Sequence, residues 1–259
     1  MKKTPTRLPD VGASNAIGKV CEIFRVLSSA APLRLSEISA RTGFNRVTAL
    51  RILDELVSQR FVARAGTPPR YSLGPEAVAM GSASSLTQDV RAAARPSLMR
   101  LADLSQDTVL LQVQSGAEAI CIDRSVGRYP IQANFLHVGS RRPLGVGAGS
   151  MALLAWLPEP ERDSILDVTT RHLADYPRIN RGVLQAHIEA AQARGYVLML
   201  DIVVSKVGAI GVPIRNREGE VVASMSIAAL TERIVEREEM LSLAVLREVA
   251  LIQKAIEAS

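Results

Sequence analysis

Aromatic residues make up only 3% of the 259-residue chain, four Phe, four Tyr and one Trp. So few rings cannot build the stacking platforms on which single-stranded nucleic acids are held. Cysteine is as scarce. Cys21 sits in a helical pattern and Cys121 in an alternating one, with no metal-ligand spacing, and both read as buried thiols in a reducing compartment. The three histidines, His137, His172 and His187, fall into neither a metal nor a triad spacing. No uninterrupted apolar run approaches the roughly 20 residues that cross a bilayer. The basic start, Met1 to Pro9, runs into Asp10 and Gly12 instead of an apolar stretch, so it is not expected to be a signal peptide. These absences lead to the expectation of a cytoplasmic protein with no metal, no cofactor and no membrane partner.

What the chain has is apolar residues, 47% of the total, enough over 259 residues to fill the cores of two domains of ordinary size. It also has charge that is unevenly placed. Residues 1–75 carry twelve Lys and Arg against five Asp and Glu, whereas residues 76–259 carry 19 against 21. A basic lobe joined to a slightly acidic one suits a phosphate backbone whose counterions are released on binding, and solubility alone would not segregate charge in this way.

The basic lobe has the outline of a winged helix-turn-helix over residues 14–74, preceded by a basic arm, 1–13. A first helix from about Ser14 to Ser29 carries Ile17, Val20, Cys21, Phe24 and Leu27 as its packing face. Leu35 to Thr42 form the second, with Ser36 as the expected N-cap, and Gly43 supplies the turn. A third helix opens near Asn45, where Val47, Ala49, Leu50, Ile52, Leu53, Leu56 and Val57 recur at helical spacing and predict a buried side. Arg46, Thr48 and Arg51 are left on the other side, a face of donors free of carboxylates until Asp54, as a helix lying against phosphates and base edges requires. Phe61 to Arg64, the turn at Gly66 to Pro69 and Arg70 to Leu73 read as a hairpin wing flanked by Arg64 and Arg70. The expected DNA contacts are therefore Ser36, Asn45, Arg46, Thr48, Arg51, Arg64 and Arg70.

Residues 75–88 read as a linker helix, and 89–259 as an α+β domain. Val90 to Leu104 is helical, Thr108 to Gln114 and Ala119 to Arg124 form an antiparallel pair around Ser115-Gly116, and Tyr129 to Val138 offers a third strand. The glycine-rich Leu144 to Ser150 precedes an apolar helix from Met151 to Trp156. Two amphipathic helices follow, Glu159 to Val168 and Gly182 to Arg194, then strands Ala209 to Ile214 and Glu220 to Ala228, and one long helix from Glu232 to about Ala258. Hairpin-like strand pairs on either side of a helical block predict an antiparallel sheet rather than an alternating parallel one. The spacing Gly145-Val-Gly-Ala-Gly-Ser is not G-x-G-x-x-G and no βαβ unit follows, which argues against a dinucleotide; nor is Ser150 in a G-x-S-x-G elbow. Two readings of these glycines stand: room for a small ligand at a helix N-terminus that offers N–H donors to a carboxylate, or tight packing of helix on sheet.

With these segments in order, the whole chain resembles the IclR family of bacterial transcriptional regulators. The resemblance runs through Leu35 to Gly43, Thr48-Ala-Leu-Arg-Ile-Leu-Asp-Glu-Leu, Tyr71-Ser-Leu-Gly, Gly139 to Ser150, Ala152-Leu-Leu-Ala, Arg194-Gly-Tyr, Ile210-Gly-Val-Pro-Ile and Glu220 to Ile227. It implies a winged helix, a linker helix and a GAF-like effector domain, a homodimer or dimer of dimers, a double-stranded DNA operator of inverted-repeat character, and a small-molecule effector. The positions it would turn toward the effector are Ala148, Gly149, Met199, Val207, Ala209, Ser226 and Ala228, with Asn134, Arg141 or Arg142 available to anchor a polar group. The chain departs from the family pattern after Gly195-Tyr196, where Val197-Leu-Met-Leu precedes Asp201 and Met199 stands in place of a carboxylate; Gly145 and Met151 replace a common His and Lys. A thioether cannot orient a small keto acid by hydrogen bonds, so a larger, apolar or aromatic acid is expected. The resulting expectation is a repressor, not an enzyme, whose operator binding an effector controls. The alternatives are an activator, a regulator that has lost its effector, an adaptor without an operator, and an enzyme with an accessory winged helix. The last would need a titratable dyad, which the expected lining positions lack.

Overall fold

The computed structural model describes residues 15–30, 32–82, 85–133 and 135–258, which divide into two units parting between Ser85 and Leu86. In the first, α1 (Ala16–Ser29), α2 (Leu35–Thr42) and α3 (Arg46–Ser58) precede a hairpin of β1 (Val62–Ala65) and β2 (Arg70–Leu73), and α4 (Pro75–Ser82) follows. Asparagine caps the starts of α1 and α3. The Asn15 Oδ1 accepts the Gly18 N–H at 2.9 Å, and the Asn45 Oδ1 accepts the Thr48 N–H at 2.8 Å. Gly43, at φ 74°, ends α2 and donates its N–H to Ser39 O, a left-handed turn that glycine makes without strain. Ile23, Leu27, Ile38, Leu53 and Tyr71 close the core, and the Phe24 and Phe61 rings meet at 5.9 Å.

Three expectations for this unit are corrected. The buried face of α1 is Ile23, Val26 and Leu27, while Ile17 is 73% exposed and Cys21 is exposed. Ser36 does not cap α2: the helix begins at Leu35, so the cap lies two residues earlier, at Arg34, and the Glu37 carboxylate accepts the Arg34 N–H at 2.8 Å. On α3 the buried side is Ala49, Leu53 and Leu56, whereas Val47 and Leu50 face outward.

The second unit takes in α5 (Ser85–Ser105) from its second residue and continues through β3 (Thr108–Ser115), β4 (Glu118–Val126), β5 (Arg141–Pro143), α6 (Ala148–Ala155), α7 (Glu159–Thr170), α8 (Arg181–Arg194), β6 (Val197–Leu200), β7 (Val207–Arg215), β8 (Val221–Leu230), α9 (Thr231–Glu236) and α10 (Glu238–Glu257). The six strands form one antiparallel sheet in the order β5-β4-β3-β8-β7-β6. Side chains alternate across a strand, and here both faces are covered. Val109, Leu111, Ile210, Val212, Met225 and Ile227 pack with α5, α9 and α10, and the opposite face carries α6, α7 and α8. The fold is α+β.

Among the described residues of 129–138 there is no strand. The Gln132 side chain supplies the polar partners a ladder would have given: its Nε2 donates to Gln106 O at 3.1 Å and Gly127 O at 3.2 Å, and its Oε1 accepts the Thr108 hydroxyl at 3.0 Å. The edge strand lies further on, at β5. The long final helix is broken at Arg237, whose N–H reaches back three residues to Ile234 O. The Arg237 side chain turns with that of Arg233 onto Asp107, which is 1% exposed; the N···O distances are 2.7 and 3.0 Å. A buried carboxylate thus ties the start of β3 to the α9–α10 corner, and Arg233 also stacks on the Tyr129 ring at 3.6 Å.

Candidate DNA-binding face and ligand cavity

On α3, Arg46 and Arg51 are exposed, Thr48 is half-buried, and Asn45 is exposed with its carbonyl oxygen occupied by the helix cap. Ser36 is exposed on α2. Both wing arginines are exposed and already hold acceptors: Arg64 Nη1 donates to Asp54 Oδ1 at 3.2 Å, and Arg70 Nη1 to Pro32 O at 3.2 Å. The Asp54 carboxylate therefore fastens the wing to the C-terminal half of α3 and leaves the N-terminal half, with Arg46 and Arg51, free of carboxylates. Glu37 sits below the usual carboxylate range, held there first by the Arg34 N–H and then by the field of Arg70, Arg41 and Arg34.

The cavity lies on the α6-facing side of the sheet. Alternation turns Leu110 and Gln112 of β3, Ser226 and Ala228 of β8, Ala209 of β7 and Met199 of β6 to that side, and register aligns them in rungs. Leu110 pairs with Ser226 and Ser226 with Gly211; Ala228 pairs with Ala209 and Ala209 with Met199. Ala148, Gly149 and Val207 complete the set, so seven of the eight expected effector positions line one cavity. Asn134 lies outside the described residues. Sequence reasoning missed Leu110, Gln112, Phe135, Leu136 and the Ile202 to Val204 turn, which also line it. For Gln112 the signal was present, since it is a polar residue at an inward position of an alternating strand.

Glycines bring α6 close. A Cβ on Gly211 would stand 2.4 Å from Ala148 O, and one on Gly149 would stand 2.0 Å from Gln112 Oε1. The space beside these two glycines is thus taken by protein, the tight-packing reading, while Ala148 and Gly149 still border the cavity. Gly147, at φ 100°, is the N-cap of α6 and brings no capping side chain, so the free N–H groups of the first turn are not claimed by one.

Arg142 is the charge in this apolar chamber. It lines the cavity next to Gly147, where a Cβ would meet its Nη1 at 3.3 Å. Among the described residues it has no hydrogen-bonded or ion-paired acceptor, and burial pulls its guanidinium below the usual arginine range. Its neighbour Arg141 is engaged elsewhere, with Glu118 at 3.1 Å. Cys121 packs behind the wall with Leu110 and Leu136, and burial pushes its thiol up to about 12. Among the described residues no group of three His, Cys, Asp or Glu could hold a metal, and no helix is long and apolar enough to cross a membrane.

A winged helix with a basic outward helix, followed by an antiparallel-sheet domain enclosing an apolar cavity, defines a DNA-binding regulator with an effector domain. Comparison with known proteins gives the family. Residues 16–66 match the IclR helix-turn-helix domain, and residues 83–253 match the C-terminal domain of the bacterial transcriptional regulator IclR. The chain belongs to the IclR family of bacterial transcriptional regulators. Among curated relatives it is 28% identical to the HTH-type transcriptional regulator KipR of Bacillus subtilis over 210 residues, 79% of this chain and 81% of that one. An IclR regulator from Alicyclobacillus acidocaldarius superposes with a TM-score of 0.77 at 24% identity, covering 93% of this chain and 98% of that one. An IclR homolog from Microbacterium hydrocarbonoxydans, solved in complex with 4-hydroxybenzoate, gives 0.75 at 22% identity, covering 93% and 100%.

Proposed function

We propose that this regulator represses transcription from the cytoplasm by occupying an inverted-repeat operator as a homodimer or dimer of dimers, and that an organic acid with an aromatic or otherwise apolar body controls that occupancy. Repression needs only tight occupancy of DNA, which the basic lobe of residues 1–75 favours. The observation that carries the effector reading is Arg142, an unpaired guanidinium in a cavity whose other walls are mostly apolar. A buried charge without a partner is costly, and a ligand carboxylate bound to it and to the free N–H groups of α6 removes that cost. The remaining walls, Leu110, Phe135, Leu136, Met199 and Val207, take an apolar body, with Gln112 and Ser226 for a second polar group. The aromatic acid bound by the Microbacterium relative fits the same chemistry.

The cavity measures about 60 Å³. One water needs about 10–15 Å³ and a benzene ring about 150 Å³, so a ring-sized acid enters only as the walls part. The Ile202 to Val204 turn between β6 and β7, like the Phe135-Leu136 segment, is a wall outside regular structure. That coupling of entry to wall movement, carried toward the DNA-binding unit by way of α4, is how the effector would alter operator affinity, because a ligand shifts an equilibrium only through different affinities for its two states. Thermal-shift screening of aromatic and aliphatic acids beside their amides tests it. At a hundred times Kd an acid should stabilise by about 2.7 kcal/mol, a melting shift of roughly 5–10 °C, and the matched amide by far less. Equal shifts from acid and amide would contradict the role of Arg142, and no shift from any acid would leave a regulator without an acid effector.

A further inference from the structure

The outward face of α3 is not simply basic. Residues 46, 47, 50, 51 and 54 share one side of a 3.6-residue helix, and the first four of them are Arg46, Val47, Leu50 and Arg51. Val47 is 79% exposed and Leu50 38%, while the core of the unit is closed by Ala49, Leu53 and Leu56 from the same helix. Neither aliphatic side chain is needed for that core. Valine is also a poor helix former at a solvated position, where its χ1 is restricted and it gains no packing. Two exposed aliphatic groups one turn apart, each beside an arginine and in the lobe that carries the positive charge, mark a surface built for a partner that is both anionic and locally apolar.

The major groove of DNA is such a partner. Its edges present hydrogen-bonding groups, and the C5 methyl of thymine is the apolar group among them; arginine takes the O6 and N7 of guanine. Val47 and Leu50 lie three residues apart, about 4.5 Å along the helix axis, against about 3.4 Å per base step. We propose that Val47 and Leu50 read thymine methyl groups on neighbouring base steps, so that each operator half-site sets A·T pairs beside the G·C pairs read by Arg46 and Arg51. This specificity rests on the geometry of α3 and is independent of any effector.

The test uses the full-length chain. Duplexes enriched from a random library are measured by fluorescence anisotropy, and each enriched thymine is then replaced by deoxyuridine, which removes only the methyl group. Affinity should fall about fourfold for each contacted methyl. One such loss should vanish in Val47→Ala and its neighbour in Leu50→Ala, while the replacements not assigned to the altered side chain keep their effect. Because Val47 is largely exposed, Val47→Ala should melt as the parent does. The proposal is overturned if the parent binds every deoxyuridine duplex within twofold of the thymine duplex, if the losses persist undiminished in both variants, or if no thymine-containing sequence is enriched.

Discussion

Replacing Arg142 with Met should make the protein more stable and less able to bind its acid. Methionine keeps the length and flexibility of the arginine stem and fills irregular apolar space, and it removes a half-buried guanidinium that has no acceptor among the described residues. That side chain is only half-buried, so the gain on its removal should be about 1 kcal/mol, the low end of what replacing buried ionic groups with well-packed apolar side chains gives. Returning that free energy should raise the melting temperature of the ligand-free protein by about 2–4 °C. The acid should suffer in the opposite direction. A hydrogen bond to a charged group contributes about 1.5–3 kcal/mol, so affinity for the acid chosen by thermal-shift screening should drop roughly ten- to hundredfold, while its amide is little affected. Arg142→Lys, which keeps the charge and loses the planar fork, should fall between the two. Arginine stays protonated throughout the working pH range, so the difference between parent and variant should not vary from pH 6 to pH 9. Differential scanning calorimetry gives the first quantity and isothermal titration the second. A lower melting point for ligand-free Arg142→Met, or undiminished affinity for the acid, would refute the reasoning.

Other outcomes follow from the same packing. Arg51→Ala should leave the melting temperature unchanged, because the side chain is exposed, and should weaken operator binding by about tenfold or more in an anisotropy titration. Asp107→Ala strips Arg233 and Arg237 of their carboxylate and should destabilise the sheet unit by about 3–5 kcal/mol in urea melts, since a broken buried pair leaves charge uncompensated. Thiol titration of the native protein should find one fast-reacting group, Cys21, and a second only after unfolding, because Cys121 is buried and its thiol is pushed up to about 12.

Much of this architecture was legible because local chemistry and tertiary structure agree. Gly43 had to be a turn and Asn45 a helix start, and both are. The strands at Thr108 to Gln114 and Ala209 to Ile214 were legible as apolar, β-rich runs beside turns, but which of their residues point inward was not. Seven cavity-lining residues could be listed because the family resemblance supplied what periodicity could not: which strands lie side by side. Where the reading failed, a competing interaction prevailed. Val197 to Leu200 is four apolar residues without alternation, and only pairing with β7 makes it a strand. The stretch from Tyr129 to Val138 has strand-forming residues, yet the Gln132 amide supplies its polar partners. Apolar recurrence at helical spacing put Val47, Leu50, Ile17 and Cys21 on buried faces; such spacing leaves a choice of faces, and the structure turned these four outward. Gln112 was passed over because the resemblance pointed to β6, β7 and β8 and not to β3.

The measurement that bears most directly on this account is the affinity of the full-length chain for its selected operator with and without saturating acid, at fixed salt, in the parent and in Arg142→Met. The acid should change operator affinity in the parent by about five- to 150-fold, the usual range of coupling between two sites. At the same concentration it should have little effect in the variant, which binds operator normally in its absence. An acid that binds the parent with measurable heat yet leaves operator affinity unchanged would contradict the central claim.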